Sequence, residues 1–289
     1  MTDNDTLQRF LFDNNDIRGE ITTLSSSYQE LLANQKYPPQ VALLFGEFLA
    51  AASLLSATLK NSGAITIQVK GDGPITAIMV ECTQGNKLRG IVRGDFDHVD
   101  GLSTLSELLG KAILAITIEP EGKERYQGIV PLDEENLSKC LEYYFYQSEQ
   151  LPTKIKLASN EQSAVGMLVQ QLPNSGDETK NSDDWQHITA LFETLSREEQ
   201  LTLSHNDQLY RLFHEQNLRL FDPQDMTFSC SCSQKRTASA IVSLGRQEIA
   251  ETLAEHGLVI ITCQFCFQEY RFTPREIDEL FDPPEPILH

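Results

Sequence analysis

The sequence predicts an α+β protein in three parts: a large mixed α+β N-terminal core domain over residues 1–174, a helical linker region over 175–228, and a small C-terminal domain built on four cysteines over 229–289. Three observations predict it. The hydrophobic period changes several times before residue 173, between the two-residue period of strands and the longer period of helices, without a repeating strand-helix-strand unit. A polar stretch, "LPNSGDETKNSDD" from Leu172 to Asp184, then offers almost nothing to bury. Beyond it come short amphipathic segments and two close pairs of cysteines.

In the first part, Val41, Leu44, Phe45, Phe48, Leu49, Ala52 and Leu55 recur at helical spacing behind Pro38 and Pro39, which suit a helix start. The apolar run from Val41 to Leu59 approaches membrane-spanning length. Glu47 stands near its middle, where a charge costs roughly 2.5–3.5 kcal/mol on insertion scales, so a buried core helix is expected. Ile65, Ile67 and Val69 alternate as a strand, Gly71–Pro74 turns the chain, and Ile75, Ala77 and Met79 alternate again, which reads as a β-hairpin. Further strands are expected through Leu88, Gly90 and Val92, through "AILAITIEP", around Ile155–Leu157 and around Val165–Val169. A helix should carry Leu137, Leu141, Tyr144 and Ser148.

In the linker, Ile188, Leu191, Phe192 and Leu195 form an apolar stripe. Ser196 and Glu199 have capping-box spacing ahead of a second short helix, and Leu209, Leu212 and Phe213 continue the pattern. Isolated helices under roughly 12–15 residues rarely hold in water. These must dock on something, and docking can be undone.

The balance of charge is 23 Lys+Arg against 42 Asp+Glu, a formal −19. Such a field repels phosphate backbones and anionic lipid headgroups, so neither nucleic acid nor a membrane is expected as a partner. The start, "MTDNDTLQRF", lacks the basic and apolar stretches of a signal peptide, which points to a cytoplasmic protein. In that compartment clustered cysteines signal metal or redox chemistry rather than permanent disulfides. No phosphate-loop or dinucleotide glycine motif appears, nor a Gly-x-Ser-x-Gly elbow, nor an HExxH helix. No enzymatic activity and no catalytic residue are expected.

Cys230-x-Cys232 and Cys263-x-x-Cys266 present four thiolates suited to one tetrahedral zinc ion, making the tail a four-cysteine zinc domain. Ile241, Leu244, Ile249 and Leu253 give the insert helical character. "LVIIT" then forms a strand that delivers Cys263, Phe267, Tyr270 and Phe272 suggest another, and Ile277, Leu280 and Phe281 mark a terminal helix begun near Pro274. A module of this size cannot rely on its own core, and metal binding supplies on the order of 10–16 kcal/mol in zinc-finger peptides. Thiolate is also the species that oxidants attack, so oxidation would eject the metal and unfold the module. The first pair is tighter than an ordinary zinc turn, and a disulfide across it would close a small, strained ring. Phe267 stands where many such turns carry glycine.

Other readings compete. A static zinc ribbon that binds nucleic acid would need basic residues near the metal, but residues 225–289 hold five Lys/Arg against ten Asp/Glu. A thiol oxidoreductase using Cys263 and Cys266 would need its CxxC to open a helix, against the aromatic strand pattern that follows. His256 could replace a sulfur, though four cysteines already complete a site. His98, His187, His205, His214 and His289 show no ligand or triad spacing. Cys82 and Cys140 read as core residues, with an auxiliary redox role open for Cys140, and Asp95, Asp97 and Asp100 read as a solvated turn.

Taken together, "DIRGEI" at Asp16–Ile21, "YPPQVALLFGEFLAAASLL" at Tyr37–Leu55, "IQVKGDGPI" at Ile67–Ile75, "LRGIVRG" at Leu88–Gly94 and the two cysteine pairs give a chain that resembles the redox-regulated 33 kDa heat-shock chaperone family (33 kDa chaperonin) over nearly its full length. The resemblance implies an ATP-independent holdase for unfolding client proteins under oxidative stress, inactive while reduced and zinc-bound. It implies that oxidation pairs Cys230 with Cys232 and Cys263 with Cys266. Zinc then leaves, the tail unfolds, the linker is destabilised, and the chain forms a homodimer on activation. The stripe of Ile188, Leu191, Phe192 and Leu195 is the candidate client-binding surface.

Overall fold

The apolar segment behind Pro38 becomes the axis of the larger of two units. The computed structural model describes residues 3–13, 15–33, 35–58, 63–173 and 178–282, and the chain divides into Met1–Ser229 and Cys230–His289. Leu59, the stretch 174–177 that holds the expected end of the core domain, and His289 lie outside the described residues.

The larger unit begins with strands β1 (Thr6–Phe12) and β2 (Ile17–Leu24), then helices α1 (Ser26–Ala33) and α2 (Pro39–Ala57). Strands β3 (Gly63–Lys70), β4 (Ile75–Thr83) and β5 (Lys87–Gly94) follow, then α3 (Leu105–Leu109), β6 (Ile113–Pro120) and β7 (Tyr126–Pro131). Helix α4 (Leu137–Tyr144) runs into a π-helical turn over Phe145–Glu149, and β8 (Thr153–Ser159) and β9 (Ala164–Gln171) close the core. The linker forms α5 (Glu178–Glu193), α6 (Arg197–Thr202) and α7 (His205–Phe213), then three short strands, β10 (Leu218–Leu220), β11 (Gln224–Asp225) and β12 (Thr227–Phe228).

Two six-stranded sheets result: β10-β1-β2-β9-β8, with β11 also on β1, and β12-β5-β4-β3-β6-β7. Pro39 supplies the first turn of α2, where a missing N–H costs nothing. Every residue from Phe48 to Leu55 is buried, because α2 packs on strands of both sheets. A helix apolar on all sides must be covered on all sides. It is the one described helix long and apolar enough to cross a membrane, and two-thirds of it is buried inside the protein.

The mixed α+β class therefore holds. Within it, β4 departs from the expected alternation. Ile75, Ile78, Val80 and Cys82 point inward while Ala77 and Met79 are half-exposed, because a bulge between Ile75 and Ala77 shifts the register by one residue and so exchanges faces. Strands β1 and β2 were not distinguished in the sequence. In the second of them, Gly19 is required by the Phe10 ring, which lies 2.1 Å from where a Cβ would stand.

The linker covers the other face of the first sheet. Phe10, Phe12, Ile17, Ile21, Met167 and Val169 turn away from α2 and pack with Ile188, Phe192, Leu195, Leu209, Leu212 and Phe213, with Leu191 half-buried beside them. Ser196 and Glu199 form the expected capping box of α6, and Ser204 caps α7. Polar clasps reinforce the dock. Lys156 donates to the carbonyls of Glu193 and Leu195 at 2.8 and 2.9 Å. Arg197 donates to the Ser159 carbonyl and lies 3.5 Å from Glu47, so the charge inside the apolar helix is answered by the linker. His205, the first residue of α7, is buried, with Nε2 2.9 Å from the Thr23 hydroxyl and its backbone N–H donating to Asp3.

Truncating Phe192 to alanine should cost about 3–5 kcal/mol of this packing, read as faster amide exchange and proteolysis across residues 178–213. Burial pushes His205 down to about 4 from 6.5, against the opposing field of Asp3. It is neutral when docked, so its contribution is complete above pH 6.5 and is lost as pH falls towards 4. Desolvation acts oppositely on the half-buried Glu47, pushed up to about 7 from 4.5 despite Arg197, so acidification through that window favours the folded chain by protonating it. His205→Asn separates the two effects: the stability of the native chain minus that of the variant should stay constant above pH 6.5 and decline between 6.5 and 4 in urea titrations.

Candidate metal centre

The smaller unit has a short apolar inventory. Helices α8 (Gln234–Leu244) and α9 (Arg246–His256), strands β13 (Val259–Thr262) and β14 (Glu269–Phe272), and helix α10 (Pro274–Phe281) surround Ile241, Ile249, Val259, Phe272 and Ile277. Ser233 caps α8, Gly245 separates α8 from α9 at φ +94°, and Thr273 and Glu276 form a capping box on α10. Leu244, expected on the apolar face, is exposed, since its helix ends at that residue. Among the described residues, five buried apolar side chains are too few to hold a unit of some sixty residues, so another interaction must contribute.

That interaction is available where the cysteines meet. Cys230 and Cys232 precede α8, while Cys263 and Cys266 occupy the turn between β13 and β14. The turn is closed by the Cys263 N–H donating to the Gln268 carbonyl at 2.9 Å and the Phe267 N–H to the Cys263 carbonyl at 2.8 Å. All four sulfurs lie within 4.8 Å of one another, with Cys230 and Cys263 at 3.6 Å and Cys232 and Cys266 at 3.4 Å. Sulfurs held about 2.3 Å from a tetrahedral zinc stand about 3.8 Å apart, so this donor set fits that ion. Both of these separations join sulfurs of different pairs, as expected of four ligands converging on a centre.

The electrostatics point the same way. Burial pushes the Cys230 thiol up, and burial with the neighbouring sulfurs pushes Cys266 up strongly. Burial also acts against ionising Cys232, but the Tyr270 hydroxyl and the adjacent sulfurs outweigh it and hold this thiol below its ordinary value. Four thiolates this close repel one another, and a bound cation removes that conflict. The Tyr270 hydroxyl lies 3.0 Å from the Cys232 sulfur, a partner that no spacing rule reveals because 38 residues separate the two.

The remaining candidates fall elsewhere. His256 is exposed beside Glu255, outside the sulfur group. Cys82 and Cys140 are buried in the main core, and burial pushes each up to about 11, which keeps both thiols protonated and inert. Asp95 accepts from the Asp97 amide in a surface turn. The Cys263-x-x-Cys266 segment lies in a hairpin turn, not at a helix start, which is the wrong setting for a thioredoxin-like centre.

Comparison with known proteins follows the same outline. The family model described as Hsp33 protein matches residues 5–273. The 33 kDa chaperonin of Shewanella frigidimarina (strain NCIMB 400) is 46% identical over 278 residues, covering 96% of each chain. That of Pseudomonas fluorescens (strain SBW25) is 44% identical over 297 residues, covering 100% of this chain and 99% of its own. Among solved structures, the crystal structure of the 33 kDa chaperonin from Thermotoga maritima superposes with a TM-score of 0.79 at 20% identity, over 96% of this chain and 98% of that one, a likeness of fold.

Phe267 adopts φ +58°, the left-handed region that costs a non-glycine residue of order 1–3 kcal/mol. The glycine common at this point of a zinc turn thus has a conformational reason, and phenylalanine adopts the same backbone at a cost. Phe267→Gly should tighten metal retention by about 1 kcal/mol, roughly fivefold, in competition against a graded chelator.

Proposed function

The chain belongs to the Hsp33 family of 33 kDa chaperonins, and from that premise we propose that it is a redox-regulated, ATP-independent holdase chaperone of the bacterial cytoplasm. In the reduced form Cys230, Cys232, Cys263 and Cys266 hold one zinc ion, which supplies the cross-link that the small unit's core lacks. Oxidation joins Cys230 to Cys232 and Cys263 to Cys266, and sulfurs spent on disulfides no longer hold the ion. The unit then unfolds, the linker undocks, and apolar surface opens to unfolding proteins.

The observation that carries this reading is the convergence of four sulfurs within 4.8 Å in a unit whose buried apolar core numbers five of the described residues. Losing the metal there means losing the fold. The route to the linker is short in sequence. Ser229 donates its N–H to the Leu88 carbonyl, β12 pairs with β5 through two residues, and Cys230 follows directly. Ile188, Leu191, Phe192 and Leu195 are packed away in the docked linker, so undocking converts core into binding surface. We assign the roles of core, linker and switch to residues 1–174, 175–228 and 229–289. Activation is further proposed to produce a homodimer. The −19 charge argues against nucleic-acid or membrane partners.

The reduced protein should retain one zinc and leave a thermally unfolding client to aggregate, while peroxide with mild heating should release zinc and suppress aggregation. Cys263→Ser, which lacks one of the four ligands, should hold zinc more weakly and suppress aggregation without needing the oxidant. Equal suppression by reduced and oxidised native chain would sink the switch.

A further inference from the structure

We propose that the Tyr270 hydroxyl is a brake on oxidation of the four-cysteine cluster, acting through a hydrogen bond that makes the Cys232 sulfur a poorer nucleophile. The inference rests on the reading of the cluster as a redox switch and names a residue that sets its rate. Tyr270 lies on β14 opposite Ile261 of β13, with its ring against the small apolar core and its hydroxyl oxygen 3.0 Å from the Cys232 sulfur. A thiolate has no proton to give, so the phenol is the donor. Backbone amides also reach this cluster, from Cys232 towards Cys230 and from Gln268 towards Cys266. The Tyr270 contact differs in being a side chain, removable without disturbing the turn.

The chemistry gives this contact a defined effect. A thiolate attacks one oxygen of hydrogen peroxide, the O–O bond breaks, and a sulfenic acid and hydroxide form. A second thiolate attacks the sulfenic sulfur, the S–S bond forms, and hydroxide leaves. In sum, two thiolates, one peroxide and two protons give one disulfide and two waters, with two electrons passing from sulfur to oxygen. Each attack moves a sulfur lone pair, and nucleophilicity falls as that electron density is withdrawn. A hydrogen bond from Tyr270 withdraws it from Cys232, whether Cys232 attacks peroxide or resolves the sulfenic acid. Partners around metal-bound ligands are known to tune them in this way.

The test uses the full chain, reduced and zinc-loaded. Tyr270→Phe keeps the ring and its packing while removing the donor. Under a fixed excess of hydrogen peroxide it should release zinc to a chromogenic chelator about three- to tenfold faster than the native chain, from charge-assisted hydrogen-bond strengths and the partial dependence of rate on thiol basicity. With cobalt in place of zinc, its sulfur-to-metal charge-transfer band should move to lower energy, because an unbonded thiolate is easier to oxidise. Monofluorotyrosine at position 270, a stronger donor of nearly the same shape that stays protonated at neutral pH, should shift rate and band the other way. An unchanged or slower rate for Tyr270→Phe, or a faster rate with an unmoved cobalt band, would overturn the brake. A native chain that releases no zinc under peroxide would instead defeat the switch itself.

Discussion

A sheet apolar on both faces has to be covered twice, and that requirement organises the larger unit. Toward α2 the first sheet presents Leu7 and Leu24; away from it stand Phe10, Phe12, Ile17, Ile21, Met167 and Val169. Among the described residues, the side chains that cover this second face come from the linker. Every residue of β9 from Ala164 to Gln170 is buried in consequence. A surface of this kind can be stable only while its cover stays in place, since exposing it returns apolar area to water at roughly 25 cal/mol per Å². Undocking would uncover matching surfaces on the linker and on the sheet.

The cover is fastened by polar contacts that are strong locally and few in number. Arg197 answers Glu47, Lys156 meets two carbonyls at the end of α5, and His205 is bonded to Thr23. Beyond α7 the chain is tied to the sheet edges by strands of two or three residues: β10 and β11 along β1, then β12 along β5. Short edge pairings with largely exposed residues open at low free-energy cost.

The smaller unit has the opposite economy. Helices α8 and α10 are capped by side chains, but among the described residues only five buried apolar side chains form its core, too few by themselves for a unit of this size. The chemistry that makes cysteine a good ligand, a deprotonated and polarisable sulfur, is also what oxidants consume. Phe267 at φ +58° weakens the turn, while the Tyr270 hydroxyl draws density from Cys232. The two features act on different quantities, the stability of the loaded site and the reactivity of one ligand.

Much of this was legible in the residues. The α2 stripe, the hairpin of β3 and β4, the capping box of α6 and the tight spacing inside each cysteine pair all rest on a period or spacing within one short segment. Strands β1 and β2 were obscured because a sheet covered on both faces does not alternate cleanly, and because Arg9, Arg18 and Glu20 interrupt its apolar residues. The bulge in β4 reversed the inward set, since one inserted residue exchanges the faces of a strand. The sequence by itself determined the α2 helix, the β3–β4 hairpin and the amphipathic linker helices, that those helices had to dock, and that four thiols could share a metal. Tertiary structure alone decided where they dock, that Arg197 stands against Glu47, and that Tyr270 reaches Cys232. Those are contacts between residues 38 to 150 positions apart, and no local pattern encodes which distant surfaces will meet.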